Sequence, residues 1–321
     1  ALISGAIVER MRFSAYLGFI VLWVLLVYAP IAHWVWGGGW MSRLGVLDYA
    51  GGTVVHVNAA AAALVASVVL GPRRDYARRA LLPHNVPYVL LGAALLWFGW
   101  FGFNAGSALG VSPAAALAFT NTFLAPMATL VVWMLLDLRR TGRATAVGAA
   151  TGLVVGLVAV TPAAGFVSPL SALAIGALAA APSYFAILAR SKSGLDDSLD
   201  VLAAHGVGGV TGAILTGVFA QKAWGGVDGL VAGNPRQVGL QALGLVVAAL
   251  YSVVVTFGIL RLVALAVPIR SRARDEAVGL DVAQHGEEAY ARGEGAVLVR
   301  PPAAVPAPAP ARLDTAVAGR R

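Results

Sequence analysis

Residues 49–70 read YAGGTVVHVNAAAAALVASVVL, with no Asp, Glu, Lys or Arg among them. A run of this length can cross a hydrocarbon core about 30 Å thick as a helix. It nevertheless carries His56 about 7 residues in, which is about 10 Å at the helical rise. An ionisable side chain at that depth is costly and marks a functional site by default. The stretch therefore sets two questions for the chain: whether the rest is also membrane-spanning, and what His56 meets there.

Composition answers the first. Of 321 residues, 59% are hydrophobic and 12% charged, with mean hydropathy +0.80. A soluble domain has about 45–50% apolar and about 25% charged residues, so a soluble enzyme is excluded as the main body. The net charge of +8 sits in short basic clusters between apolar runs, which does not suggest nucleic-acid binding. With no cysteine, there is no disulfide framework and no thiolate ligand or nucleophile. Eight apolar runs are long enough to span: 14–36, 49–70, 87–109, 113–137, 145–163, 168–189, 198–220 and 239–267. Stripes such as Gly148, Gly152 and Gly156, or Gly208 and Gly212, suit close helix approach in an all-α membrane bundle.

The connecting loops alternate in charge. Arg10 and Arg12, then Arg73, Arg74, Arg78 and Arg79, then Arg139, Arg140 and Arg143, then Arg190 and Lys192, then Arg270, Arg272 and Arg274 form the rich set. The intervening loops hold Arg43, nothing, nothing, and Lys222 with Arg236. By the positive-inside rule the rich set is cytoplasmic, and eight spans then place both ends inside. The expected organisation is a transmembrane domain over 1–267, a cytoplasmic tail over 268–294 and a Pro/Ala-rich extension over 295–321, whose composition cannot bury a core. The apolar start, Ala1 to Val8, reads as the end of an earlier span.

A second histidine, His205, lies about 7 residues into the run 198–220, which comes in from the opposite face. The two rings can therefore meet near the midplane; the alternative is two unrelated histidines, each bonded to a backbone carbonyl. Asp48 and Asp200 each stand near the start of one of these spans. There a carboxylate caps a helix start, where the dipole favours negative charge, or helps attract a cation; the structural role is favoured for both. His33, His84 and His285 read as interfacial or loop residues. Trp34, Trp36 and Trp40, and the run Trp97 to Ser107, cluster at the outer ends of two spans. An aromatic belt explains part of this. A ring over a small desolvated cation adds attraction of up to about 2 kcal/mol, and with the Ser107 hydroxyl it makes a size-limited ammonium site.

At these residues the sequence resembles the Amt/MEP/Rh ammonium transporter family, on the Amt side. The resemblance is carried by Glu9 to Ser14, Pro30 to Gly39, Leu47 to His56, Gly99 to Ser107, Asp200 to Gly209 and Gly279 to Tyr290, and covers residues 1 to about 294. It implies an inverted-repeat fold of eleven spans, of which these eight look like the fourth to eleventh, with Ala1–Val8 the end of the third. It further implies a homotrimer with one pore per subunit, in a cytoplasmic membrane. His56 and His205 resemble the paired pore histidines, Trp36 and Ser107 the outer recruitment site, Asp48 the aspartate that supports it, and Phe103 one of two gating phenylalanines. No cofactor or metal is implied. Ammonium or ammonia transport is the leading expectation. A sensor signalling through the tail, where Gly279–Tyr290 resembles a segment that supports docking of a PII-type signal protein, is the second. A membrane enzyme ranks last, because no His-Glu-x-x-His or Gly-x-Ser-x-Gly motif occurs.

Overall fold

A computed structural model of the chain describes residues 1–76, 78 and 82–289. Two compact units divide it, Ala1–Arg272 and a second beginning at Ala273. The first is a bundle of apolar helices, and the described residues contain no β-strand beyond one isolated bridge between Met11 and Arg270.

The bundle opens with a 3₁₀ turn (Leu2–Ala6), then a long rod built of α1 (Phe13–Trp23), a π-helical turn (Val24–Tyr28) and α2 (Ala29–Trp36). The short α3 (Trp40–Leu44) follows. A second π turn (Gly52–Val57) runs into α4 (Asn58–Leu70). Next come α5 (Val86–Gly106), α6 (Pro113–Thr141), α7 (Ala146–Val160) and α8 (Pro169–Arg190). A third π turn (Leu202–Val207) leads into α9 (Gly208–Phe219), followed by α10 (Lys222–Gly225) and α11 (Arg236–Ala266). Each of the eight apolar runs thus becomes a helical segment. Seven are at least 18 residues long; α7 has 15. The remainder of the run 145–163 forms a buried turn after Val160.

Local chemistry sets where these helices start and stop. Asn85, Ser112, Thr145 and Ser168 each accept an amide N–H from the first turn of α5, α6, α7 or α8, satisfying a donor that has no partner within the helix. Proline follows closely in three of the four, where its missing N–H costs nothing. Gly142, at φ +73°, ends α6 in the left-handed conformation. Inside α6, Pro126 cannot donate to the Thr122 carbonyl, and the Trp97 indole N–H takes that place at 3.2 Å.

Four apolar clusters result among the described residues, two of them large. One joins α1, α2, α4 and α11 around Phe19, Ile31, Val54 and Leu260; the other joins α6, α7 and α8 around Ala125, Val155 and Ile175. The glycine stripe of α7 lies on α6: an added methyl at Gly152 would strike Trp133, and one at Gly156 would strike Pro126 and Thr129. With no water in a bilayer core, buried polar groups need internal partners. Asn121 donates to the carbonyls of Ala164 and Val167, and Thr129 to that of Gly176.

The unit from Ala273 contains α12 (Ala273–Val278) and a π turn (Asp281–His285), each followed by a glycine at positive φ. Tyr290 and the expected 295–321 extension lie outside the described residues.

Candidate functional site

The two histidines, 149 residues apart in sequence, meet with Nδ1 to Nδ1 at 3.2 Å. Their rings are stacked, with centroids 5.2 Å apart and 21° between planes. Each histidine sits in a π-helical turn at the head of its helix. Such turns hold one extra residue and recur at functional sites.

The close crossing depends on small residues. A methyl added at Gly206 would lie 3.0 Å from the Ala60 Cβ; one at Gly209 would lie 3.0 Å from a Val57 methyl and 3.2 Å from the His56 Cβ. Glycine at both positions lets the backbones approach until the imidazoles touch.

Aromatic rings close one side of the pair. Trp100 stacks on His56 at 5.4 Å and 19°, held by its indole N–H on the Thr161 hydroxyl at 2.9 Å. Phe103, one turn along α5, lies 6.3 Å from His56 and 5.6 Å from Trp100, edge to face. In the sequence Trp100 is only one of a cluster of rings; its stacking on His56 depends on where α5 packs.

An Nδ1-to-Nδ1 bond requires one ring to donate and the other to accept. The two Nε2 atoms then differ in role when both rings are neutral: one bare, one protonated. His56 Nε2 is buried and has no hydrogen-bond partner among the described residues. The arrangement presents a narrow, ring-walled surface with one acceptor and one donor, suited to a small molecule that can do both.

Asp48 is buried just ahead of the His56 span. One carboxylate oxygen accepts from the amides of Gly51 and Gly52, the other from those of Thr53 and Val54, at 2.7–2.9 Å. This is the expected cap, made four times over; burial pushes the carboxyl above its usual range against the pull of those amides. The Leu47 peptide beside it is clamped on both sides by Gln241 of α11. Trp36 donates its indole N–H to the Asp48 carbonyl at 2.7 Å, and the residue is 43% exposed. The Ser107 hydroxyl bonds within its own helix, to the Phe103 carbonyl at 2.9 Å, rather than to Trp36.

At the start of the His205 helix the expected cap is corrected. The carboxylate that accepts the Leu202 amide, at 2.7 Å, belongs to Asp197. Asp200 instead pairs with Arg190 at 2.6 Å and holds a left-handed conformation, φ 56°. Burial raises the Asp197 carboxyl. A signal for Asp197 exists in the spacing: it precedes His205 by eight residues, as Asp48 precedes His56. His33, His84 and His285 are all exposed, and none belongs to the pair.

A multi-pass helical bundle in which two ionisable residues meet inside the spans is a membrane protein with a buried functional site. Its family is shown by comparison. The family model described as Ammonium Transporter Family matches residues 1–290. The ammonium transporter of Aquifex aeolicus (strain VF5) is 50% identical over 291 residues, covering 90% of this chain and 68% of that protein. That of Bacillus subtilis (strain 168) is 46% identical over 293 residues, covering 90% and 72%. A crystal structure of Candida albicans Mep2 superposes with a TM-score of 0.79 at 38% identity, covering 85% of this chain and 63% of that one. The chain belongs to the ammonium transporter family, a family of transporters and not of enzymes. It spans about two thirds of the length of these relatives.

Proposed function

We propose that the protein moves ammonium nitrogen across the cytoplasmic membrane as ammonia, past the His56–His205 pair. Burying a bare ammonium ion in a narrow apolar passage costs many kcal/mol, whereas ammonia is neutral and small. Ammonium is recruited at the outer mouth by the Trp36 ring and the Ser107 hydroxyl, with Asp48 shaping the loop that carries the tryptophan's anchor. Deprotonation takes place near Phe103. The paired imidazoles guide ammonia and relay the proton, a task for which histidine is suited because it titrates near neutrality. The observation that carries this reading is the 3.2 Å histidine contact together with the buried, unpartnered Nε2 of His56.

The finer assignments belong to the same proposal. The spans are the family's fourth to eleventh, the basic loops and both ends face the cytoplasm, and the subunits form trimers. The tail over 268–294 is regulatory, and its segment Gly279–Tyr290 offers a docking site for a PII-type signal protein.

The test is methylammonium uptake and substrate-dependent current for the full-length protein, with His56→Ala and His205→Ala alongside. Each variant is expected to lose the current or its selectivity for ammonium over potassium. Unchanged current and selectivity in both would overturn the relay.

A further inference from the structure

Arg10 is fully buried, although it lies outside the membrane spans and is the largest side chain in the bundle with no exposure. All five of its guanidinium N–H groups are used. Nε donates to the Gly71 carbonyl (2.8 Å), Nη1 to the Ser198 hydroxyl (3.1 Å) and the Val8 carbonyl (3.4 Å), and Nη2 to the carbonyls of Ala6 (2.7 Å) and Asp196 (2.6 Å). Only arginine presents five donors in one planar fork.

The acceptors fall on three segments, and two of them belong to the histidine helices. Gly71 is the C-cap of α4, the straight continuation of the turn holding His56. Asp196 and Ser198 flank Asp197, whose carboxylate caps the turn holding His205. The third segment, Ala6–Val8, is tied to α4 again by the Ser67 hydroxyl on the Ala6 carbonyl, and to the loop by the Leu199 amide on the Gly5 carbonyl.

The two histidine helices cross at Gly206 against Ala60 and Gly209 against Val57. The histidines stand beside this crossing, one residue from Val57 and one from Gly206, so the crossing sets how close the backbones come, while the turns that carry the rings set how the rings face. Arg10 acts on those turns: its contacts to the Asp196 carbonyl and the Ser198 hydroxyl hold both neighbours of Asp197, whose carboxylate caps the His205 turn, and tie them to the Gly71 end of α4. A shift of about 1 Å in that capped turn is enough to break a 3.2 Å hydrogen bond.

We propose that Arg10 is a positioning residue for the histidine pair, a strut that holds the capped turn of His205 in register with the His56 helix so that the imidazoles bond. The inference builds on the transport reading above, but its first readout does not depend on transport. Histidine side chains labelled with ¹⁵N in the full-length protein report whether the Nδ1 atoms of His56 and His205 are coupled. In Arg10→Lys the charge remains, but one nitrogen cannot reach all five acceptors. The expected result is loss of the paired signature. Maximal methylammonium uptake is expected to fall ten-fold or more, with KM within two-fold. Ser198→Ala removes a single acceptor and is expected to shift the histidine signals in the same direction, with a two- to three-fold fall in uptake.

Wild-type histidine signals in Arg10→Lys would overturn the strut, as would a variant altered only in thermal stability. Should Arg10→Lys fail to reach the membrane, Ser198→Ala decides alone: shifted histidine signals support the strut and unshifted ones overturn it. If the histidine variants transport normally, the transport reading falls, while the labelled histidines still decide the role of Arg10.

Discussion

The two histidine helices begin on one plan with different materials. Counting from the capping aspartate, Asp48 or Asp197, the third residue on has positive φ and the eighth is the histidine. At the first helix start the positive-φ residue is Gly51 (120°); at the second it is Asp200 (56°). The Asp48 carboxylate accepts four amides and has no ion partner among the described residues. Asp197 has one oxygen on Leu202 and leaves Oδ1 buried without a partner among the described residues. Around it lie the ion pairs of Asp196 with Arg73 and Arg10, of Arg73 with Glu9, and of Asp200 with Arg190. One helix start is held by backbone amides, the other by charged side chains.

Removing each cap tests this contrast most strongly. Asp48→Ala leaves four amides without an acceptor, and hydrogen bonds to a charged group contribute about 1.5–3 kcal/mol each. Because they act as one unit the total is not additive, and a loss of roughly 3–6 kcal/mol is expected. Asp197→Ala removes one such bond and its neighbours' support, and should cost about 1–2 kcal/mol, the range of an ordinary helix cap. Thermal unfolding in detergent, compared with wild type, checks both. Equal losses would mean that the two caps are equivalent and the contrast is wrong.

A smaller effect is expected three residues further on. Gly51→Ala puts a Cβ at φ 120° and drives it into Val55. The cost should be about 1–3 kcal/mol, as for other strained backbone positions. Asp200→Gly instead relieves a left-handed residue while losing a partly exposed ion pair, contributions of about 1 kcal/mol or less that oppose each other. Its melting temperature is expected to stay within a few degrees of wild type, and a large drop would show that the Arg190 pair dominates.

The spans are legible in the chain because apolar length and loop charge are local properties that survive without tertiary information. So is the histidine pair, because two ionisable residues at equal depth on helices of opposite direction have few other places to go. The run 145–163 reads as longer than α7 because hydropathy does not distinguish a buried turn from a helix. The π turns around His56 and His205 leave no mark in composition or spacing. Asp200 has the look of a cap because it is the last charged residue before the apolar stretch that begins at Val201. Asp197 takes that role because the left-handed turn at Asp200 folds the chain back and brings the earlier carboxylate onto the helix end. Arg10 reads as a topology marker; its five acceptors come from segments up to 188 residues away, which no local pattern records.

Acid should separate the two helix starts by the smallest margin. Burial alone would raise the Asp196 carboxyl, but Arg73 binds it through Nε, Nη2 and its backbone amide and holds it below the usual carboxylate range. A carboxyl with a lowered folded value contributes stability that is complete above its unfolded value, about 4. That stability is lost as pH falls through the lower folded one. The local reporter is hydrogen exchange at the Arg73 amide, which donates to Asp196 at 2.8 Å. Corrected for intrinsic rates, its protection should hold from pH 7 to about 4 and then fall as the carboxyl is protonated. In Arg73→Met the fall should begin at higher pH, because the partner that lowers Asp196 is gone. The amides of Gly51 and Gly52, bound to a carboxylate with no cation beside it, should show no step at the Asp196 value. A shared step would mean that the two ends are coupled through the helices they begin, and that the ion-paired end supports the amide-capped one.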